Sequence, residues 1–198
     1  MVAGVAGGVG TTTVAAALWW ALDTHRGGAA VDGGDRSLAA RLPREPGDGT
    51  GVPRVEPDLM VRDLGAHALS THASVLDGAG QVGVVVCGAH DAGLVAARDA
   101  LGWLATRRAG GSSRRRAVVV PVSVAGRARP GAVLRSRALD LGLDSVIVPV
   151  GRSRALAAGG RLPVELAPGV QRAAVVLAVE VVRCARWVAA VAPDAAGD

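Results

Sequence analysis

The stretch Val2-Ala3-Gly4-Val5-Ala6-Gly7-Gly8-Val9-Gly10-Thr11-Thr12-Thr13-Val14-Ala15-Ala16-Ala17-Leu18 decides how this chain folds. Its opening residues are small and apolar, as in a central strand of a parallel sheet. Glycines at 7, 8 and 10 then form a turn, and threonines open a helix of Ala and Leu. Such a turn lets backbone N–H groups converge, and the helix N-terminus adds the positive end of its dipole. Strand, glycine turn and helix start together are the parts of an anion cradle.

A phosphate loop of the form G-x-x-x-x-G-K-[ST] carries a lysine directly after its last glycine, where it reaches the β- and γ-phosphates. Thr11 stands in that place here, and Thr12 supplies the hydroxyl that such loops use for magnesium. No lysine occurs anywhere in the 198 residues, so all 22 basic side chains are Arg. No lysine of this chain can therefore enter a phosphate site. Asn, Phe and Tyr are also absent, a pattern of GC-rich codon bias rather than of function.

Half of the chain is hydrophobic, mostly Ala, Val and Leu, which is enough for one α/β domain with a sizeable core. Four Trp are expected to help fill it. The net charge of +5 is compatible with an acidic partner surface, nucleic acid included, without requiring one. Cys87 and Cys184 stand far apart in apolar runs, without the spacing of a zinc or redox motif. Two buried thiols in a reducing cytoplasm are expected. The N-terminus lacks a charged region and cleavage site. The apolar runs fall short of the about 20 residues that span a bilayer, so no membrane insertion is expected.

Along the chain, Val2 to Ala6 reads as the first strand and Thr11 to about His25 as the first helix, ended by Gly27-Gly28. Ala29 to Val31 is a second strand ending in Asp32, followed by a brief helix to Leu42. Residues 43–58 are rich in Pro and Gly and read as a solvated loop within one domain spanning 1–192. Leu59 to Gly65 is a third strand and its exit, and His67 to Leu76 a helix. Val82 to Cys87 is a fourth strand, and Asp91, as cap, opens a helix to Arg108. Ala117 to Val124 and Ser145 to Val150 are strands, with a helix from Pro130 to Leu141 between them. A last helix runs from Pro168 to Val191, before a short acidic tail at 193–198. This alternation implies a three-layer α/β/α fold with a mostly parallel sheet. Ligands of such sheets bind at the carboxyl ends of the strands, where the glycine turn, Asp32, Asp63 and the turn after Val150 all fall.

The chain resembles the ParA/MinD superfamily, the P-loop ATPases with a deviant Walker A loop that position plasmids, chromosomes and division sites. Their loop reads K-G-G-x-G-K-[ST]-[ST]; this chain has Ala6-Gly7-Gly8-Val9-Gly10-Thr11-Thr12-Thr13, with both lysines replaced. Val31-Asp32-Gly33-Gly34-Asp35-Arg36-Ser37-Leu38 is similar to the family's D-x-D-P and Ser-Leu helix start, with Gly34 at the second Asp. Asp63-Leu64-Gly65 matches the switch II D-x-G. Val84 to Leu94 resembles the fourth strand and its helix, and Ile147 to Arg152 the segment that passes the nucleotide base.

The resemblance implies ATP and magnesium as ligands. Gly7, Gly8, Val9, Gly10, Thr11, Thr12, Thr13, Asp32, Asp63 and Gly65 would form the site, with Thr12 and Asp63 as the magnesium residues. It implies impaired hydrolysis, because phosphoryl transfer rests on positioning and charge stabilisation. It also implies a cytoplasmic protein that works through a homodimer and a protein partner, although the position that bridges protomers in the family is Ala6. Two other readings stand beside it. One is a slow ATPase in which Arg36, Arg152 or a partner supplies the cation. The other is a nucleotide-free scaffold or DNA-associated module that uses Arg107, Arg108, Arg114, Arg115 and Arg116. His67, His72 and His90 lack the mutual spacing of a metal site, so surface or capping roles are expected of them. MinD-like proteins end in a membrane-targeting amphipathic helix; here the acidic tail argues that the last helix packs on the sheet.

Overall fold

The computed structural model describes residues 1–6, 8–26, 30–31, 36–42, 59–66, 81–107, 117–124, 129–153, 157 and 160–191. Strands and helices alternate along them. They are β1 (Val2–Gly4), α1 (Thr11–Arg26), β2 (Ala30–Val31), α2 (Arg36–Arg41), β3 (Met60–Val61), β4 (Gly83–Gly88), α3 (Asp91–Arg107), β5 (Ala117–Val122), α4 (Gly131–Asp140), β6 (Val146–Ile147) and α5 (Pro168–Val191). Gly7, Asp32, the loop at 43–58, the helix expected at 67–76, the arginines at 108 and 114–116 and the tail at 193–198 lie outside the described residues.

All strand pairs among the described residues are parallel. One sheet runs β1-β4-β5-β6, and β2 pairs with β3. A bridge between Val2 and Asp63 joins the two, so the chain leaving β3 lies against β1. The strands expected over 59–65 and 145–150 are shorter ladders than the sequence suggests. Each is two residues long and resumes as a single bridge, at Asp63 and at Val150.

The pleat sends alternate side chains to opposite faces. Val84 and Val86 of β4 enter one core with Val118 and Val120 of β5, the buried length of α1, and Leu177 and Val181 of α5. Val85, Cys87 and Val119 enter a second core with Leu94, Ala97 and Leu101 of α3 and Leu134 and Ala138 of α4. The result is a three-layer α/β/α arrangement. Helix α1 is apolar and buried all round from Val14 to Leu22, which fits an interior helix rather than an amphipathic one. Helix α5 covers it from outside. This places α5 on the body of the fold, as the sequence suggests.

Trp19 is fully buried, and Trp20 donates its Nε1–H to the Val164 carbonyl at 3.0 Å. Trp103 is 37% exposed, so the expectation that the Trp residues fill the core fails there. Cys87 and Cys184 are free and buried. No helix among the described residues is long and apolar enough to cross a membrane.

Candidate functional site

The glycine turn leaves the carboxyl end of β1 and is held on both sides. Val5 N–H donates to the Val86 carbonyl of β4 at 3.0 Å, and Gly4 N–H donates to the Gly65 carbonyl at 2.9 Å. Leu64 N–H donates to the Val2 carbonyl at 2.8 Å. The segment Asp63-Leu64-Gly65 therefore runs beside the strand that feeds the turn, and both end on the same rim of the sheet. Gly8 and Gly10 have φ of +74° and +83°. These left-handed conformations favour glycine and let the chain reverse within a few residues. Val9 is buried and anchors the turn from below.

Helix α1 starts open. Its first bond runs from Val14 N–H to the Gly10 carbonyl at 2.9 Å, and no acceptor among the described residues meets the N–H groups of Thr11, Thr12 or Thr13. No acidic residue lies in its first turn. Thr11 and Thr13 are each 5% exposed, whereas Gly10 and Thr12 are half-buried and Gly8 is exposed, so the helix start is open to solvent on one side. Orphan N–H groups at a helix start are normally met by a cap, by water or by a ligand.

Thr11 turns inward. Its Oγ1 is buried without a hydrogen-bond partner among the described residues. It lies where a β-carbon on Gly4 would stand, and the Ala66 α-carbon is 3.2 Å from that same point. Gly4 is thus required by close packing, a role the sequence reading did not assign to it. Thr12 is half-buried at the same helix start.

Asp63 is 9% exposed, and its Oδ1 accepts the Gly65 N–H at 2.9 Å. The carboxylate thus closes its own turn, and Gly65 takes a left-handed φ of +72° to allow it. No group of three His, Cys, Asp or Glu among the described residues is placed to hold a metal ion by itself.

Behind the turn lies an apolar cavity of about 50 Å³. Gly10, Thr13, Val14 and Ala17 form one wall. Val122 to Val124, Val150, Gly151 and Ser153 line the strand side, and Val170, Ala174 and Leu177 of α5 close the back. Arg152 sits between two of these lining residues and is exposed. Of the predicted site, the structure brings together Gly8, Val9, Gly10, Thr11, Thr12, Thr13, Asp63 and Gly65. Gly7 and Asp32 are outside the described residues, as are the side chains of Arg36 and Arg107.

The next turn along the rim, from β4 to α3, is built differently. His90 Nδ1 accepts the Gly93 N–H at 3.1 Å, so His90 and not Asp91 caps the helix. Asp91 instead binds Arg129 at 2.7 Å and Arg137 at 3.2 Å. Those two guanidinium groups hold its carboxyl below the usual range. Cys87 lies on β4 just before this turn. Burial pushes its thiol up to about 12, so it stays protonated at neutral pH.

No protein-family model matches the chain, and no curated protein matches it.

Proposed function

We propose that this chain is a ParA/MinD-like nucleotide-binding protein whose phosphate loop has lost its cations. In this reading it acts in intracellular positioning or regulation, through dimerisation and partner contacts, with hydrolysis impaired. The observation that carries the proposal is the open start of α1. Asp63-Leu64-Gly65 is hydrogen-bonded to β1, the strand that feeds the glycine turn. Three N–H groups without an acceptor among the described residues, at a helix start with no acidic residue in its first turn, suit phosphate oxygens.

Thr12 and Asp63 supply hard oxygen atoms, which suit magnesium. They are too few to hold it alone, and they fit an ion that arrives with phosphates. Bound magnesium would neutralise phosphate charge. The chain's own part is to present N–H groups and a hydroxyl to the anion. Thr11 points its oxygen back at Gly4, so position 11 delivers no positive charge to the loop mouth. That supports binding without efficient phosphoryl transfer, which depends on such charge. A slow ATPase remains the second reading, favoured by the exposed Arg152 beside the cavity.

Titration with a fluorescent ATP analogue, with and without magnesium, tests the proposal. Saturable binding that weakens on magnesium removal is expected, and no signal at millimolar nucleotide would refute it. Phosphate release compared between the wild type and Thr11→Lys separates the two readings. A background wild-type rate raised by lysine marks Thr11 as the lesion. A wild-type rate above background that falls on Arg152→Ala favours the second reading.

A further inference from the structure

Helix α5 carries a second feature that the nucleotide reading does not use. One face of it packs on α1 and β5. On the opposite face, Arg172, Val176, Val179, Arg183 and Arg186 are exposed. Their spacing alternates four and three residues, which puts them on one face of the helix. Val176 and Val179 are 45% and 47% exposed, so two apolar side chains stand in water at the centre of the stripe. Three guanidinium groups flank them. Glu180, beside the seam, contacts Arg183 at 3.8 Å. Arg172 and Arg186 form no ion pair among the described residues.

We infer that this face of α5 is a docking surface for an acidic amphipathic helix of a partner protein. The stripe runs along the helix axis with an apolar pair at its centre, which suits an amphipathic helix laid beside it. The charge selects its sign. A second copy of the same face would set Arg against Arg and is disfavoured. A helix with apolar seam residues and carboxylates on its flanks satisfies both features. A lipid surface is the weaker occupant, since two valines bury little area and no exposed Phe, Leu or Trp joins them on the seam.

The test uses the full chain and synthetic helical peptides of about three heptads. One peptide has a Leu seam with Glu flanks; the other has the same seam with Lys flanks. Anisotropy of the labelled peptides should show saturable binding of the Glu peptide, at least tenfold tighter than the Lys peptide, and weakening with salt. Val179→Asp should cost at least tenfold. Arg183→Glu combined with Arg186→Glu should reverse the preference in favour of the Lys peptide. These positions face water, so circular dichroism melts of the variants should match the wild type. Equal affinity for both peptides, no binding of either, or an unreversed preference would overturn the inference. So would binding to phosphatidylserine vesicles in place of the Glu peptide. Nucleotide titration is read separately, so failure here leaves the loop proposal standing, and the reverse also holds.

Discussion

β1 and β4 are neighbours in the sheet, and each hands over to a helix at the same rim, but by different means. The turn from β4 to α3 is sealed by the protein itself. His90 fills the cap, Asp91 opposes the helix dipole, and Gly93 lies so close to Gly88 that nothing can enter between them. The turn from β1 to α1 has six residues, no acidic residue in its first helical turn, and three N–H groups without an acceptor among the described residues. A helix start that only ends a strand closes on itself. One that stays open leaves N–H groups for water or a bound anion. The start of α4 sharpens the contrast. It too lacks a side-chain cap, but its Pro130 is exposed and water can serve it.

The largest effect should come from closing space in the sealed turn. Gly93→Ala would ordinarily add about 1 kcal/mol of helix propensity. Here a β-carbon would overlap the Gly88 carbonyl oxygen and stand 2.9 Å from its carbon and nitrogen. Backbone yields less than a flexible side chain, so overpacking at about 2–3 kcal/mol should win. Denaturant unfolding should show the loss, and a variant as stable as the wild type would mean that α3 can slide on β4.

The open turn should respond differently to the same kind of insult. Gly4→Ala meets the Thr11 side chain as well as the Ala66 backbone, and should cost about 2 kcal/mol. Adding Thr11→Ala should return part of that loss, because the nearest of the three obstacles is the Thr11 side chain, with the Ala66 backbone and Val9 left in place. A double-mutant cycle measures the recovery. Strict additivity would mean that Gly4 and Thr11 are not in contact.

These two glycines mark how far the sequence could be read. The valine runs of β4 and β5 and the prolines bracketing α5 were legible, because local composition alone dictates them. So was the glycine turn. Its convergence with Asp63 followed from the rule that parallel strands share a rim. The inward turn of Thr11 was not legible, because the space it fills beside Gly4 is bounded by Ala66, which is far away in the sequence. The cap of α3 was misread for a related reason. Asp91 looked like a cap by residue type, but Arg129 and Arg137 draw it aside and leave that place to His90.

Thr11→Val tests the cost of keeping the first turn open. Valine matches threonine in shape and removes a buried hydroxyl that has no partner among the described residues. An unmet buried polar group costs about 1–3 kcal/mol. The variant should therefore gain about 1 kcal/mol in the absence of nucleotide, read as a higher Tm. If the hydroxyl also serves the anion, nucleotide affinity should fall at the same time. A stability gain with unchanged nucleotide affinity would place the oxygen outside the binding site.

The smallest effect concerns Asp91. Hydrogen bonds from Arg129 and then Arg137 lower its pKa from 3.8, although the group is exposed. A carboxyl whose pKa is lowered on folding contributes stability above its unfolded value and loses it as the pH falls through the folded one. Wild type and Asp91→Asn should therefore differ slightly at neutral pH and converge in acid, below the unfolded value of 3.8. Water and salt screen this pair, so about 1 M salt should shrink the neutral-pH difference. A large, salt-independent loss would mean that Asp91 seals the β4 turn itself, and the contrast with the open turn would then rest on a charge rather than on the His90 cap.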